Sequence, residues 1–178
     1  MNTHYFIGIP AQQTIHEQVH HYWDKLQLAN HYKVLPGLAD LHITLLFIGS
    51  IPEHRLHTLQ QQLTQIAKHH KPFTLLINGI SYFGSPPGPR VVYLATSPNE
   101  ELDHLQNAIA ESGLDVGIQS SNHFTPHMTI AKKRKSTDPI IIPKETFDSI
   151  PLQVKHFSLF SIHPSQTPKY TEVQRYEL

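Results

Sequence analysis

The sequence predicts an α+β protein of two pseudo-symmetric lobes with mainly antiparallel sheets, flanking helices and a central cleft. Three observations predict it. Helix-like and strand-like segments alternate along the 178 residues, but neighbouring strands are joined as hairpins, which argues against a doubly wound parallel sheet. One pattern, His–apolar–Thr–apolar, occurs in each half of the chain, as HITL at 42–45 and HMTI at 127–130. Each half carries strands plus helix, so the echo suggests two similar lobes that each give one strand to a shared site. The chain, 1–178, is read as a single bilobal domain, long enough to fold without disulfide or metal.

HYFIGIP at 4–10 is a short apolar run closed by proline and reads as the first strand. Ile15, Val19, Tyr22 or Trp23, and Leu26 follow at helical spacing and predict an amphipathic helix. Its aromatic rings are assigned to packing rather than to base stacking. KVLPGLAD is a turn-rich connector, and LHITLLFIG is a strongly apolar strand. Pro52, in a first helical turn, opens a helix whose Leu56, Leu59, Leu63, Ile66 and Ala67 form one apolar stripe. FTLLINGISYFG and RVVYLAT are strands around the loop SPPGP. The next helix has Ser97 or Asn99 as N-cap, acids in its first turn and Gly113 as its stop. HFTPHMTIAK is a strand running into the basic cluster KKRK at 132–135, and VKHFSLFSIHP and KYTEVQRYEL are closing strands.

Composition narrows the function. Lys plus Arg and Asp plus Glu both total 14, so no global positive field attracts long nucleic acid, and any polyanion site must be local. The absence of cysteine removes disulfides, thiolate nucleophiles and Cys-based zinc sites, and suits a reducing cytoplasm. No apolar run approaches ~20 residues and the N-terminus lacks the basic start of a signal peptide, so the expectation is a cytoplasmic protein without membrane contact. No protein partner is implied. Neither glycine-rich phosphate loop occurs, which leaves phosphate handling to side chains. Most of the 15 histidines read as solvated, His20–His21 and His69–His70 among them. His16 and His20 share a helical face, but no ligand set completes around them; no metal and no cofactor is expected.

On a strand, His42 and Thr44 point one way and Leu41, Ile43 and Leu45 the other; His127 and Thr129 stand likewise against Met128 and Ile130. Two such strands side by side give a cleft with two imidazoles and two hydroxyl donors. The imidazoles can divide general acid and general base work, and the hydroxyls can hold non-bridging phosphoryl oxygens. His-x-Thr also occurs at His123, and about one copy is expected by chance in so histidine-rich a chain. The residues alone therefore leave two readings open: a paired-histidine site, or polar side chains on an open sheet face. Within HFTPHMTIAK, His123 and His127 are about 13 Å apart on a strand, too far to share one phosphate. His127 has the counterpart in the first half, and His123 is expected at most on the cleft's rim.

These residues resemble the bacterial RNA 2′,3′-cyclic phosphodiesterases, or 2′-5′ RNA ligases, of the 2H phosphoesterase superfamily. The resemblance rests on the tetrads HITL and HMTI in their settings ADLHITLLFIG and FTPHMTIAK. It extends to Phe83–Gly84, to RVVYL and to the closing RYEL. It implies hydrolysis of RNA-terminal 2′,3′-cyclic phosphate to a 2′-phosphomonoester, without a metal, on RNA ends or short oligonucleotides. His42 would be the proton donor, His127 the proton acceptor, and Thr44 and Thr129 the phosphate holders. Weak reverse 2′-5′ ligation would accompany it.

Many relatives follow the second tetrad with Ala-Arg, where this chain has Ala131–Lys132, a point charge in place of a bidentate fork. Phe83, Arg90 and Tyr93 are candidates for nucleoside contact by stacking or charge. The cluster KKRK reads either as a solvated turn or as a guide for RNA phosphates. Two alternatives stand beside the main reading: a sibling hydrolase of another cyclic phosphate, and a non-catalytic module that binds RNA ends.

Overall fold

A computed structural model describes residues 3–120 and 123–178. The elements in chain order are β1 (His4–Pro10), α1 (His16–Lys25), α2 (Leu28–His31), β2 (Tyr32–Val34), β3 (His42–Gly49), α3 (Glu53–Lys68), β4 (Phe73–Ser85) and β5 (Gly88–Thr96). There follow α4 (Glu100–Asp115), β6 (His127–Arg134), β7 (Glu145–Val154), β8 (His156–Ile162) and β9 (Tyr170–Glu177). The strands run in the spatial order β7-β4-β5-β6-β3-β1-β8-β9, with β2 added beside β6. Every pairing is antiparallel, as the hairpins predict.

The order divides at its centre. One lobe is β6, β5, β4 and β7, and the other is β3, β1, β8 and β9, joined where Ile43 of β3 faces Met128 of β6. The two motif strands are thus the inner strands of their lobes. Neither lobe is a half of the chain, because β8 and β9 return from the C-terminal end to complete the lobe that β1 and β3 begin. Helix α1 backs the first lobe, where the Trp23 indole N–H donates to the Ile130 carbonyl and the Tyr22 hydroxyl to Glu145. Helices α3 and α4 pack on each other and on β9 and β3.

The core follows the predicted stripes. On α3, Leu59, Leu63 and Ala67 are buried, and Leu56 and Ile66 pack half-buried against the core. Each fully buried leucine contributes about 2 kcal/mol of transfer free energy. On α1, Val19 and Tyr22 are buried. Asn99 caps α4, its side chain accepting from the Leu102 N–H at 2.8 Å.

Four predicted boundaries move, one of them the start of the strand in HFTPHMTIAK, which begins only at His127. Pro52 is the N-cap of α3, with extended ψ of 142°, and does not lie inside its first turn. The loop SPPGP shrinks to Pro86–Pro87, because the flanking residues extend the β4–β5 hairpin. Helix α4 runs through Gly113 and ends at Asp115. Gly117 takes the left-handed conformation at φ +83°, and the Ile118 and Gly117 N–H groups close on the Gly113 and Leu114 carbonyls. Gly113 serves packing: a Cβ there would lie 2.8 Å from Leu46 Cδ2. Among the described residues no helix is long and apolar enough to cross a membrane.

Candidate active site

The motif strands begin at their histidines, His42 on β3 and His127 on β6. With Ile43 opposite Met128, the antiparallel register continued one residue each way sets His42 across from Thr129 and Thr44 across from His127. All four stand on one face of the sheet, around the point where the two lobes meet. Each imidazole is anchored in the same way. His42 Nδ1 lies 2.7 Å from the Asp40 carbonyl oxygen, and His127 Nδ1 lies 2.7 Å from that of Thr125. A carbonyl only accepts, so each ring carries its proton on Nδ1 when neutral, and Nε2 is left for the cleft. In His42, Nε2 accepts from the Thr44 hydroxyl at 3.0 Å.

The two strands share a second device. In both, the first five residues alternate half-buried, buried, half-buried, buried, buried. The doubled buried pair marks a β-bulge: Gly8 and Ile7 of β1 face Thr44 and Leu46, and Tyr93 and Val92 of β5 face Thr129 and Ala131. The extra residue is Leu45 in one strand and Ile130 in the other. Each has its carbonyl bound by a side chain from a helix behind, Gln106 at 3.3 Å and Trp23 at 2.8 Å. The bulge inverts the alternation beyond it. Strict alternation would turn Lys132 to the back of the sheet, but Lys132 and its counterpart Phe47 come to the front with the motif residues.

The resulting cleft holds about 290 Å³ and is lined by His42, Thr44, Thr129, Lys132, Asp40 and Tyr170, among others. Aromatic rings wall each histidine. Phe6 lies 4.5 Å from the His42 ring and Tyr170 stands edge-on to it at 5.1 Å. On the other side Phe83 is edge-on to His127 at 4.9 Å and Tyr93 lies 5.3 Å away. Of the candidate residues, then, Phe83 and Tyr93 sit against His127 and Lys132 enters the cleft with His42. Arg90 is exposed on the β4–β5 hairpin, where its side chain crosses Gly84, whose φ is +106°. His123 lies outside β6 and lines an adjoining cavity with Thr44, Phe47 and Phe124.

Burial pushes His42 down to about 4; the Lys132 and His127 charges add to the fall, while the bond to the Asp40 carbonyl and the Asp40 charge oppose it. Burial also holds His127 below its ordinary value, against its bond to Thr125. Lys132 is lowered by burial and by the charges of Lys133 and Lys169. Both imidazoles are therefore neutral at pH 7 in the free protein.

Sequence reasoning did not single out Asp40, Phe6 or Tyr170. Asp40 is 7% exposed, and its carboxylate accepts the backbone N–H groups of Lys169 and Tyr170 at 3.0–3.2 Å. It fastens the segment before β3 to the start of β9 and so places Tyr170 over His42. Its partners are 129 and 130 residues away, which no local pattern signals. Among the described residues no cluster of His, Cys, Asp or Glu has the form of a metal site, and His16 and His20 lie on α1.

A bilobal α+β fold in which one His-x-Thr strand from each lobe meets across a pseudo-two-fold is that of the 2H phosphoesterases. The chain belongs to the 2′-5′ RNA ligase superfamily, whose family model matches residues 13–165. It is 33% identical to the RNA 2′,3′-cyclic phosphodiesterase of Bacillus subtilis, over 98% of this chain and 96% of that one. It is 28% identical to the RNA 2′,3′-cyclic phosphodiesterase of Archaeoglobus fulgidus, over 97% and 98%. Escherichia coli LigT complexed with 3′-AMP has the same fold, with a TM-score of 0.84 and 24% identity over 100% of this chain and 99% of that one.

Proposed function

We propose that the chain is a cytoplasmic, metal-independent hydrolase that opens RNA-terminal 2′,3′-cyclic phosphate to a 2′-phosphomonoester. The observation that carries this reading is the paired anchoring of His42 and His127, each tied through Nδ1 to a carbonyl two residues before it, on the two strands that meet at Ile43 and Met128. His127 Nε2 takes a proton from water as its oxygen bonds to phosphorus. The P–O3′ bond breaks in line, and the departing O3′ takes a proton from His42 Nε2. The Thr44 and Thr129 hydroxyls donate to the non-bridging oxygens as charge builds on them. A 5′-hydroxyl in place of water gives a 2′-5′ linkage by the same path.

The donor must be protonated when substrate is bound, although His42 is held at about 4 in the free protein. The cyclic phosphate brings a negative charge into the cleft, which favours the imidazolium and offsets the repulsion from Lys132. The nearby Asp40 charge favours the His42 cation as well. These two effects support His42 as the acid.

The test is phosphorus NMR of an RNA dinucleotide ending in 2′,3′-cyclic phosphate, incubated with the protein in EDTA. A 2′-phosphate is the expected product. A 3′-phosphate would exchange the bonds assigned to the two histidines. No turnover of the dinucleotide, with other cyclic phosphates cleaved, would replace RNA as the substrate, and inhibition by EDTA would end the metal-independent mechanism.

A further inference from the structure

The cluster KKRK is divided by the fold. Lys135 Nζ donates to the Ala29 carbonyl at 2.6 Å, and Arg134 donates to the Asp138 carbonyl and lies over the Tyr32 ring at 5.7 Å. These two tie β6 to the β2 region. Lys132 and Lys133 go elsewhere. Beside the reactive cleft lies a second cavity of about 390 Å³, and Lys132, Lys133 and Lys169 all line it. The two cavities are contiguous, since Pro36, Asp40, Lys132, Ile162 and Tyr170 border both.

Consecutive residues of a regular strand face opposite ways. Lys132 and Lys133 reach the same cavity because Lys133 has left-handed backbone, φ +62°, a conformation unfavourable for a non-glycine residue. Lys169 comes from the far side, at the start of β9, on the segment that Asp40 fixes. Lys132 feels the charges of both Lys133 and Lys169, and among the described residues neither Lys133 nor Lys169 forms an ion pair. The one carboxylate bordering the cavity, Asp40, is already spent on two backbone N–H groups. Val34, Leu35 and Pro164 supply an apolar wall.

We infer that this cavity is a second anion subsite, for the 5′-phosphate of the nucleotide whose cyclic phosphate is hydrolysed. The inference rests on the proposed activity and deepens it, naming the contact by which the site would tell an RNA end from a free nucleoside cyclic phosphate. An RNA 3′-end carries its next phosphate on the 5′ oxygen of the terminal ribose, so the two phosphates enter neighbouring sites together. Lys132, between the cavities, meets both.

Two product-like nucleotides isolate the subsite: adenosine 2′-monophosphate and adenosine 2′,5′-bisphosphate, bound by calorimetry at low salt. The bisphosphate is expected to bind about tenfold tighter. In the Lys133→Gly, Lys169→Gln double variant that advantage should disappear, and its salt dependence with it. Glycine relieves the left-handed residue, and the Asp40 bond uses the backbone of residue 169, so the fold is kept; Lys169→Gln alone should remove part of the advantage. Equal affinities in the native protein, or equal losses for both nucleotides in the variants, would overturn the subsite. Hydrolysis of a nucleoside 2′,3′-cyclic phosphate lacking any 5′-phosphate is scored separately, so failure of the activity is distinguished from failure of the subsite.

Discussion

A histidine on a strand is ordinarily solvated, and what sets His42 and His127 apart is the fixed bond at Nδ1 combined with a depressed affinity for protons. His42→Ala and His127→Ala should each lower kcat by about 10²- to 10⁴-fold, the range for loss of one general acid or base. His123→Ala should cost far less, because His123 stands outside the motif strand. A loss with His123→Ala as large as with His127→Ala would reverse the ranking. Protonation gives an independent check. Burial disfavours the imidazolium, so in the free protein both rings should titrate below 6.5 by NMR, His42 near 4. A bound phosphate anion favours the imidazolium, so adding the 2′-nucleotide should raise both midpoints. A His42 midpoint that stays at its free value with nucleotide bound would remove it as the acid.

The motif strands keep their chemistry aligned through the bulges, and the bulges depend on close approach. Gly8 faces Thr44 where β1 passes β3, and a Cβ there would lie 2.9 Å from the Ile43 carbonyl oxygen and 3.4 Å from His42 Cδ2. The obstacle is backbone and cannot swing away. Gly8→Ala should destabilise the fold by about 1 to 3 kcal/mol in urea unfolding and lower kcat together with it, because the displaced strand carries His42. Full stability and activity would show that β1 has slack at this point. The strands β3 and β6 were legible because period-2 burial writes itself into HITL and HMTI. Their bulges were not: an added residue leaves the sequence unmarked, and with it went the direction of Lys132. β7, ETFDSIPLQV, alternates only in two runs offset at Asp148–Ser149 and carries Pro151, which a sheet-edge strand accepts because its outer N–H groups need no partner. The pairing of Asp40 with Lys169 and Tyr170 is set by the return of the C-terminal strands, a long-range fact that local pattern cannot carry.

Since each lobe draws strands from separate parts of the chain, neither can complete its sheet alone. We therefore expect residues 1–178 to unfold as one unit, with Trp23 fluorescence and far-ultraviolet dichroism giving the same midpoint. The pH dependence of that midpoint follows from the shifted groups. His42, His127 and His156 bind protons more weakly folded than unfolded, burial being the main cause in each. Below pH 6.5 the unfolded chain takes up more protons than the folded one, so stability falls as pH falls, and for His42 the loss continues to about 4. Hydrogen bonds from Lys25 and Tyr22 hold Glu145 below 4.5, and against the effect of burial Ser158 and Arg175 hold Glu172 below it too, so what they contribute is present above that pH and lost beneath it. At the other end, burial raises Tyr22, Tyr32, Tyr170 and Tyr176 above 10, Tyr22 to about 12. The unfolded phenols ionise first there, and stability falls again as pH rises past 10. Lys132 acts in the opposite sense, since its charged form is penalised in the fold, but it is one group against four. The urea midpoint should therefore form a plateau between about pH 6.5 and 10 with a loss on each side. His42→Ala should make the acid limb shallower whatever it does to the plateau height, because slope counts protons and height counts packing. An acid limb of unchanged slope in that variant would mean that His42 titrates alike in folded and unfolded chains.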